Sequence, residues 1–177
     1  MIDPVPLYPT TIPLAFCIWG PVRVMLFFWA VGFWSSRQGV ARMLESDWNG
    51  FNRADVDKLF AAYGEERRRR YRHRVLPADV ACAFTYAIVG GVIVAGLTMR
   101  GYPWWVAALC GGGWLFGGLC DVVENLVIAR LLDRYPQIAD GDVALASFMT
   151  QAKLVLFALG IVGALAAAWL AFKPLAI

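Results

Sequence analysis

Apolar residues dominate four stretches of the chain, and polar residues collect between them. The pattern predicts spans at about 14–34, 80–99, 104–131 and 148–172. Each is long enough to cross a hydrocarbon core of roughly 30 Å, which takes about 20 helical residues. In lipid an unpaired backbone group has no water to turn to, so each stretch is expected as a helix. Pro21 and Arg23 interrupt the first span, and the second is entered through the sequence LPAD, read as a turn. Between these two spans, residues 35–78 form a polar loop with a pattern of its own. In NRADVDKLFAAYG, Asn52 is placed to cap a short amphipathic helix, Val56, Leu59, Phe60 and Tyr63 share one face, and Gly64 is placed to end it.

Composition agrees with the pattern. Hydrophobic residues make up 60% of the 177 and charged residues 16%, with a mean hydropathy of +0.59. Soluble domains carry charge on about a quarter of their residues. The expected fold is therefore an all-α integral membrane protein. It is a single domain over 1–177 with four transmembrane helices and a cytoplasmic loop that is partly amphipathic helix and partly basic. The opening MIDPVPLYPTTIP has Asp3 and no basic residue, so no cleaved signal peptide is expected.

Charge sets an orientation. The loop 35–78 holds ten Lys and Arg residues, including the run EERRRRYRHR, and Arg130, Arg134 and Lys153 fall on the same side. The opposite side has only Arg100 and Lys173. The positive-inside bias predicts a multi-pass inner-membrane protein with both termini on the non-cytoplasmic side. The run Arg67, Arg68, Arg69 and Arg70 suits anionic lipid headgroups. No recognition module accompanies it, so nucleic acid is not an expected partner.

Some chemistry is disfavoured by residue counts. The four cysteines form no C-x-x-C pair and lie in apolar runs, where they read as small core residues. The single histidine, His73, cannot build a bis-histidine haem or a histidine-rich iron site. No nucleophile elbow, zinc helix or phosphate-binding loop appears, and neither a metal nor another cofactor is expected.

The third span contains GGLCDVVENLVIAR. Asp121, Glu124 and Asn125 stand at i, i+3 and i+4, on one helix face toward the cytoplasmic end. Ionisable residues inside spans face the bundle interior or a wet cavity, with partners. Partners are expected at the same depth from the fourth span, Thr150, Gln151 and Lys153, and the second span contributes Asp79 at its entry and Tyr86 two turns deeper. Arg23 lies deeper on the first. Glycines provide close packing, with Gly90, Gly91 and Gly96 expected against Gly111, Gly112, Gly113, Gly117 and Gly118, and Gly91 and Ala95 at small-xxx-small spacing.

Two readings follow. The acids can be structural clasps on Lys153 or Arg130. Alternatively they form a pocket that binds a lipid or isoprenoid ligand near the cytoplasmic leaflet. There Glu124 and Asp121 supply acid–base chemistry of an isomerase or cyclase kind, and Asn125, Gln151, Lys153, Thr150, Arg23, Tyr86 and Asp79 bind the ligand. The sequence leaves enzymatic activity open. A non-enzymatic subunit of a membrane complex is a further class, and so is a proton-coupled carrier, which would work as a homo-oligomer.

Overall fold

A computed structural model describes residues 49–172, of which 170–172 by backbone alone, together with Leu26, Ala30, Phe33, Arg37 and Leu44. Apart from Leu26, Ala30 and Phe33, the expected first span lies outside the described residues, and so does Arg23. Within them the chain is helical and contains no strand. Three helices are long and apolar enough to cross a membrane, with mean hydropathies of 2.2, 1.6 and 2.0 over their most apolar windows.

Helix α1 runs Arg53–Arg70 and starts as its sequence predicts. Asn52 Oδ1 accepts from Ala54 N at 2.8 Å and Asp55 N at 3.2 Å, while Asp55 Oδ2 accepts from Asn52 N at 3.0 Å. Two of the helix's orphan donors are satisfied reciprocally, as in a capping box. Gly64 breaks α1 with φ 65° and ψ 177°, a conformation open to glycine and strained for other residues. Val56 and Phe60 are fully buried in a cluster that also holds Leu131, Leu132 and Ile138, and Leu59 and Tyr63 pack against that cluster. Asn52→Ala should cost about 1 kcal/mol of local stability. Amide hydrogen exchange over 53–63 checks this; unchanged protection would mean that tertiary packing alone holds the helix.

The chain does not turn at LPAD. It passes through one wide π turn, Tyr71–Val75, in which Leu76 N–H reaches back to Tyr71 O, and continues directly into α2, Leu76–Met99. Pro77 is the physical reason that both features meet here. It has no N–H to give a carbonyl one turn back, and it is tolerated in the first turn of α2. Gly101 (φ 82°) closes α2, with Gly101 N on Thr98 O at 3.0 Å and Tyr102 N on Leu97 O at 3.1 Å.

Helix α3, Trp104–Arg134, is the centre of the bundle, and both α2 and α4, Asp140–Phe172, pack on it. Glycines set the distances. A Cβ on Gly118 would lie 2.6 Å from Ala87 Cβ on α2, and one on Gly117 would lie 2.8 Å from the Phe157 ring on α4. Gly90 and Gly111 meet on the α2 side, and Gly113, Gly160 and Gly163 pack the α4 side. The expected pairing of third span with second is thus half of the arrangement. A Cβ on Gly91 would meet nothing described within 4 Å, so the Gly91–Ala95 pair lies off this contact. Outward faces carry large apolar residues, among them Phe84, Ile88, Leu109, Phe116, Leu126, Val155 and Leu165. Exposed apolar surface on this scale suits contact with lipid.

Candidate functional site

Near the start of α2, the middle of α3 and the start of α4, polar side chains point at one another. Helical spacing does this on each element. Asp79 and Tyr86 are two turns apart on α2, Asp121, Glu124 and Asn125 share the inner face of α3, and Thr150 and Lys153 lie three residues apart on α4. All seven are buried; Asp121, Glu124, Thr150 and Tyr86 have no exposed surface.

Lys153 is the hub. Its Nζ lies 2.8 Å from Asp121 Oδ1 and 2.6 Å from Glu124 Oε2. Tyr86 OH donates to the other Asp121 oxygen. Asn125 Nδ2 donates to Asp79 Oδ2 at 2.9 Å, to Asp121 O at 2.9 Å and to Asp121 Oδ1 at 3.2 Å. The Asn125 amide therefore bridges an acid of α2 to an acid of α3. Its own Oδ1 is buried with no hydrogen-bond partner among the described residues. Thr150 sits between Glu124 Oε1 and the Ala146 carbonyl, the latter at 3.0 Å. A hydroxyl has one hydrogen. Either Thr150 gives it to the Glu124 carboxylate, or it gives it to Ala146 and accepts from a protonated Glu124. The geometry accommodates both states of Glu124 with a hydroxyl rotation.

Charge is the unusual quantity. Three buried carboxyls, Asp79, Asp121 and Glu124, face one ammonium among the described residues. A carboxylate left without a counter-charge in so dry a site would cost several kcal/mol. A bound proton removes that cost, and so does a cationic side chain. Among the described residues no three His, Cys, Asp or Glu side chains converge as a metal site.

Six of the expected partners thus meet around Asp121: Glu124, Asn125, Thr150, Lys153, Tyr86 and Asp79. Gln151 does not. It is exposed, because one residue beyond Thr150 is about 100° around the helix. Its amide instead faces Gly50, where Phe51 N also donates to Ser147 Oγ at 2.9 Å. Behind the cluster, Tyr86 meets the Phe157 ring edge-on at 4.6 Å, and Trp114 Nε1 donates to Gly160 O at 2.6 Å. Cys82 and Cys110 are buried among these apolar residues, and Cys120 is half-buried.

The basic run is more ordered than its sequence suggests. Arg72 Nε pairs with Asp133 at 2.9 Å, and the Arg68 guanidinium lies 4.6 Å over the Tyr135 ring. Arg70 and Arg69 both pair with Glu66 and hold its carboxyl below the usual carboxylate range. Sequence reading missed Asp133 and Tyr135, because no local pattern joins residues so distant in the chain.

The chain matches no known family, no curated protein and no solved structure.

Proposed function

We propose that this is a small inner-membrane protein that binds a lipid or isoprenoid ligand at the α2–α3–α4 cluster and exchanges a proton with it. The observation that supports this reading is the gathering of three buried carboxyls around one ammonium among the described residues. A carboxyl that holds a proton in such a site can also give one away. Glu124 is the proton carrier in this reading, since Thr150 can serve either of its states. Asp121 is the fixed charge, held by Lys153, Tyr86 and Asn125. A double-bond shift fits this arrangement and balances: one carboxyl protonates one alkene carbon and leaves a cation on the other, and a carboxylate removes a proton from the next carbon beyond that cation, so the double bond moves by one position. The ligand's polar end would approach beside Asp79 and Lys153, which retain slight exposure. With the basic run inside, the cluster would face the cytoplasmic leaflet and both termini the other side.

A second reading has its own observation. Most polar atoms of the cluster are satisfied within the chain, as a clasp joining three helices would be. The protein would then serve as a non-enzymatic subunit.

The two readings part at Glu124→Gln. The substitution keeps the side chain's shape and removes its proton chemistry. Mass spectrometry of lipids that copurify with the wild type and with Glu124→Gln is the test. A defined lipid or isoprenoid enriched on the wild type, and altered or lost on the variant, is expected. The same bulk phospholipid at equal occupancy on both would reject the ligand site and favour the clasp.

A further inference from the structure

At the surface end of the same helices the basic run borders a cavity of about 350 Å3. Arg68, Arg69, Arg72 and His73 line it from the end of α1 and the π turn, and Asp133 and Tyr135 line it from the end of α3. The volume is at the low end of ligand sites, which start at roughly 300 Å3.

The arginines are not loose surface charges. Arg72 is anchored through Nε, 2.9 and 3.0 Å from the two Asp133 oxygens. Arg68 is anchored through Nη1 to Phe60 O at 2.7 Å and lies on the Tyr135 ring. Arg69 is anchored through Nη2 to Glu66 at 3.0 Å. A guanidinium has five N–H donors in a planar fork. One anchor fixes the plane and leaves donors for a ligand, so less side-chain freedom is lost on binding. Two carboxylates, Glu65 and Asp133, also line the cavity, and Glu66 lies behind Arg69. His73 adds a further polar group.

We propose that this groove binds a phosphate monoester. Tetrahedral phosphate oxygens match guanidinium forks, and the groove lies where the apolar parts of α2 and α3 end, the level of lipid headgroups. The ester could belong to a lipid or to a soluble compound. This narrows the headgroup attraction expected along Arg67–Arg70 to one formed site. It does not depend on the acid cluster.

The test uses the full chain in detergent, with short-chain phosphatidic acid and glycerol 3-phosphate as probes. Arg69→Gln with Arg72→Gln is the groove variant. Arg130→Gln with Arg134→Gln is the charge-matched control, since both residues are exposed and pair with Asp142 outside the groove. Each lost charge-assisted hydrogen bond should weaken binding about tenfold, so the groove variant should bind about 100-fold more weakly. The control should change little. Binding of the lipid alone identifies a headgroup site; equal binding of glycerol 3-phosphate identifies a soluble ligand. Equal losses in both variants, or no saturable binding of either probe, overturn the proposal. Should the groove variant melt early, Arg72→Lys carries the same test. It keeps the charge and removes the fork, and should weaken binding about tenfold; unchanged binding overturns the proposal.

Discussion

Lys153→Met should be among the most damaging single substitutions in this protein. It removes the ammonium that lies within 2.8 Å of Asp121 and 2.6 Å of Glu124, and it leaves both acids buried. Breaking a buried pair from one side typically costs about 3–5 kcal/mol, because the surviving charge loses its counter-ion with no water to replace it. For a chain of this size that is a fall in detergent melting temperature on the order of 10 °C. The cost should be recoverable. Adding Asp121→Asn and Glu124→Gln to Lys153→Met removes the stranded charges while keeping shape, so the triple variant should melt above Lys153→Met alone. Such non-additivity is expected of groups in one network. A triple variant that melts no higher than Lys153→Met would show that the loss comes from packing and not from charge.

Gly113→Val should be comparably severe for a different reason. A Cβ at Gly113 would fall on Gly160 N and lie 2.5 Å from Leu156 O, both backbone atoms of α4. A flexible side chain can swing aside; a helix backbone cannot. The two helices must separate, and the adjacent bond from Trp114 Nε1 to Gly160 O is strained with them. Overpacking of this kind costs about 3 kcal/mol. Gly112→Ala is the control, because its Cβ would meet only the Phe116 ring at 3.8 Å among the described residues. It should melt with the wild type or slightly above, given alanine's better helix propensity of about 1 kcal/mol. If Gly113→Val also melts with the wild type, α3 and α4 do not touch at this point.

Local spacing explains what could be read from the sequence. Asp121, Glu124 and Asn125 declare a shared face because three and four residues return a helix to nearly the same side. Hydropathy gave the depth of Lys153 and Thr150, and the Asn52 and Gly64 signals marked the ends of one helix. What could not be read depends on neighbours. In GGGWLFGG every face of α3 carries a glycine, so nothing local assigns Gly111 and Gly118 to α2 and Gly113 and Gly117 to α4. Gln151 looked equivalent to Thr150 on depth alone, and one step around the helix took it to the surface. LPAD looked like a turn because proline so often marks one, but proline also suits a helix's first turn. The Arg72–Asp133 pair joins residues 61 apart, beyond any periodicity.

The wide turn at Tyr71–Val75 sets the phase of α2 against α1. A π turn takes one residue more than an α turn, and one residue is about 100° of rotation. The side of α2 that carries Asp79 and Tyr86 toward α3 is therefore fixed upstream, by how tightly a short basic segment is wound around its buried Tyr71 and Val75. That segment acts as a dial for the bundle. Its length is not a neutral spacer, since a change of a single residue there would aim the same acid and the same tyrosine at a different neighbour.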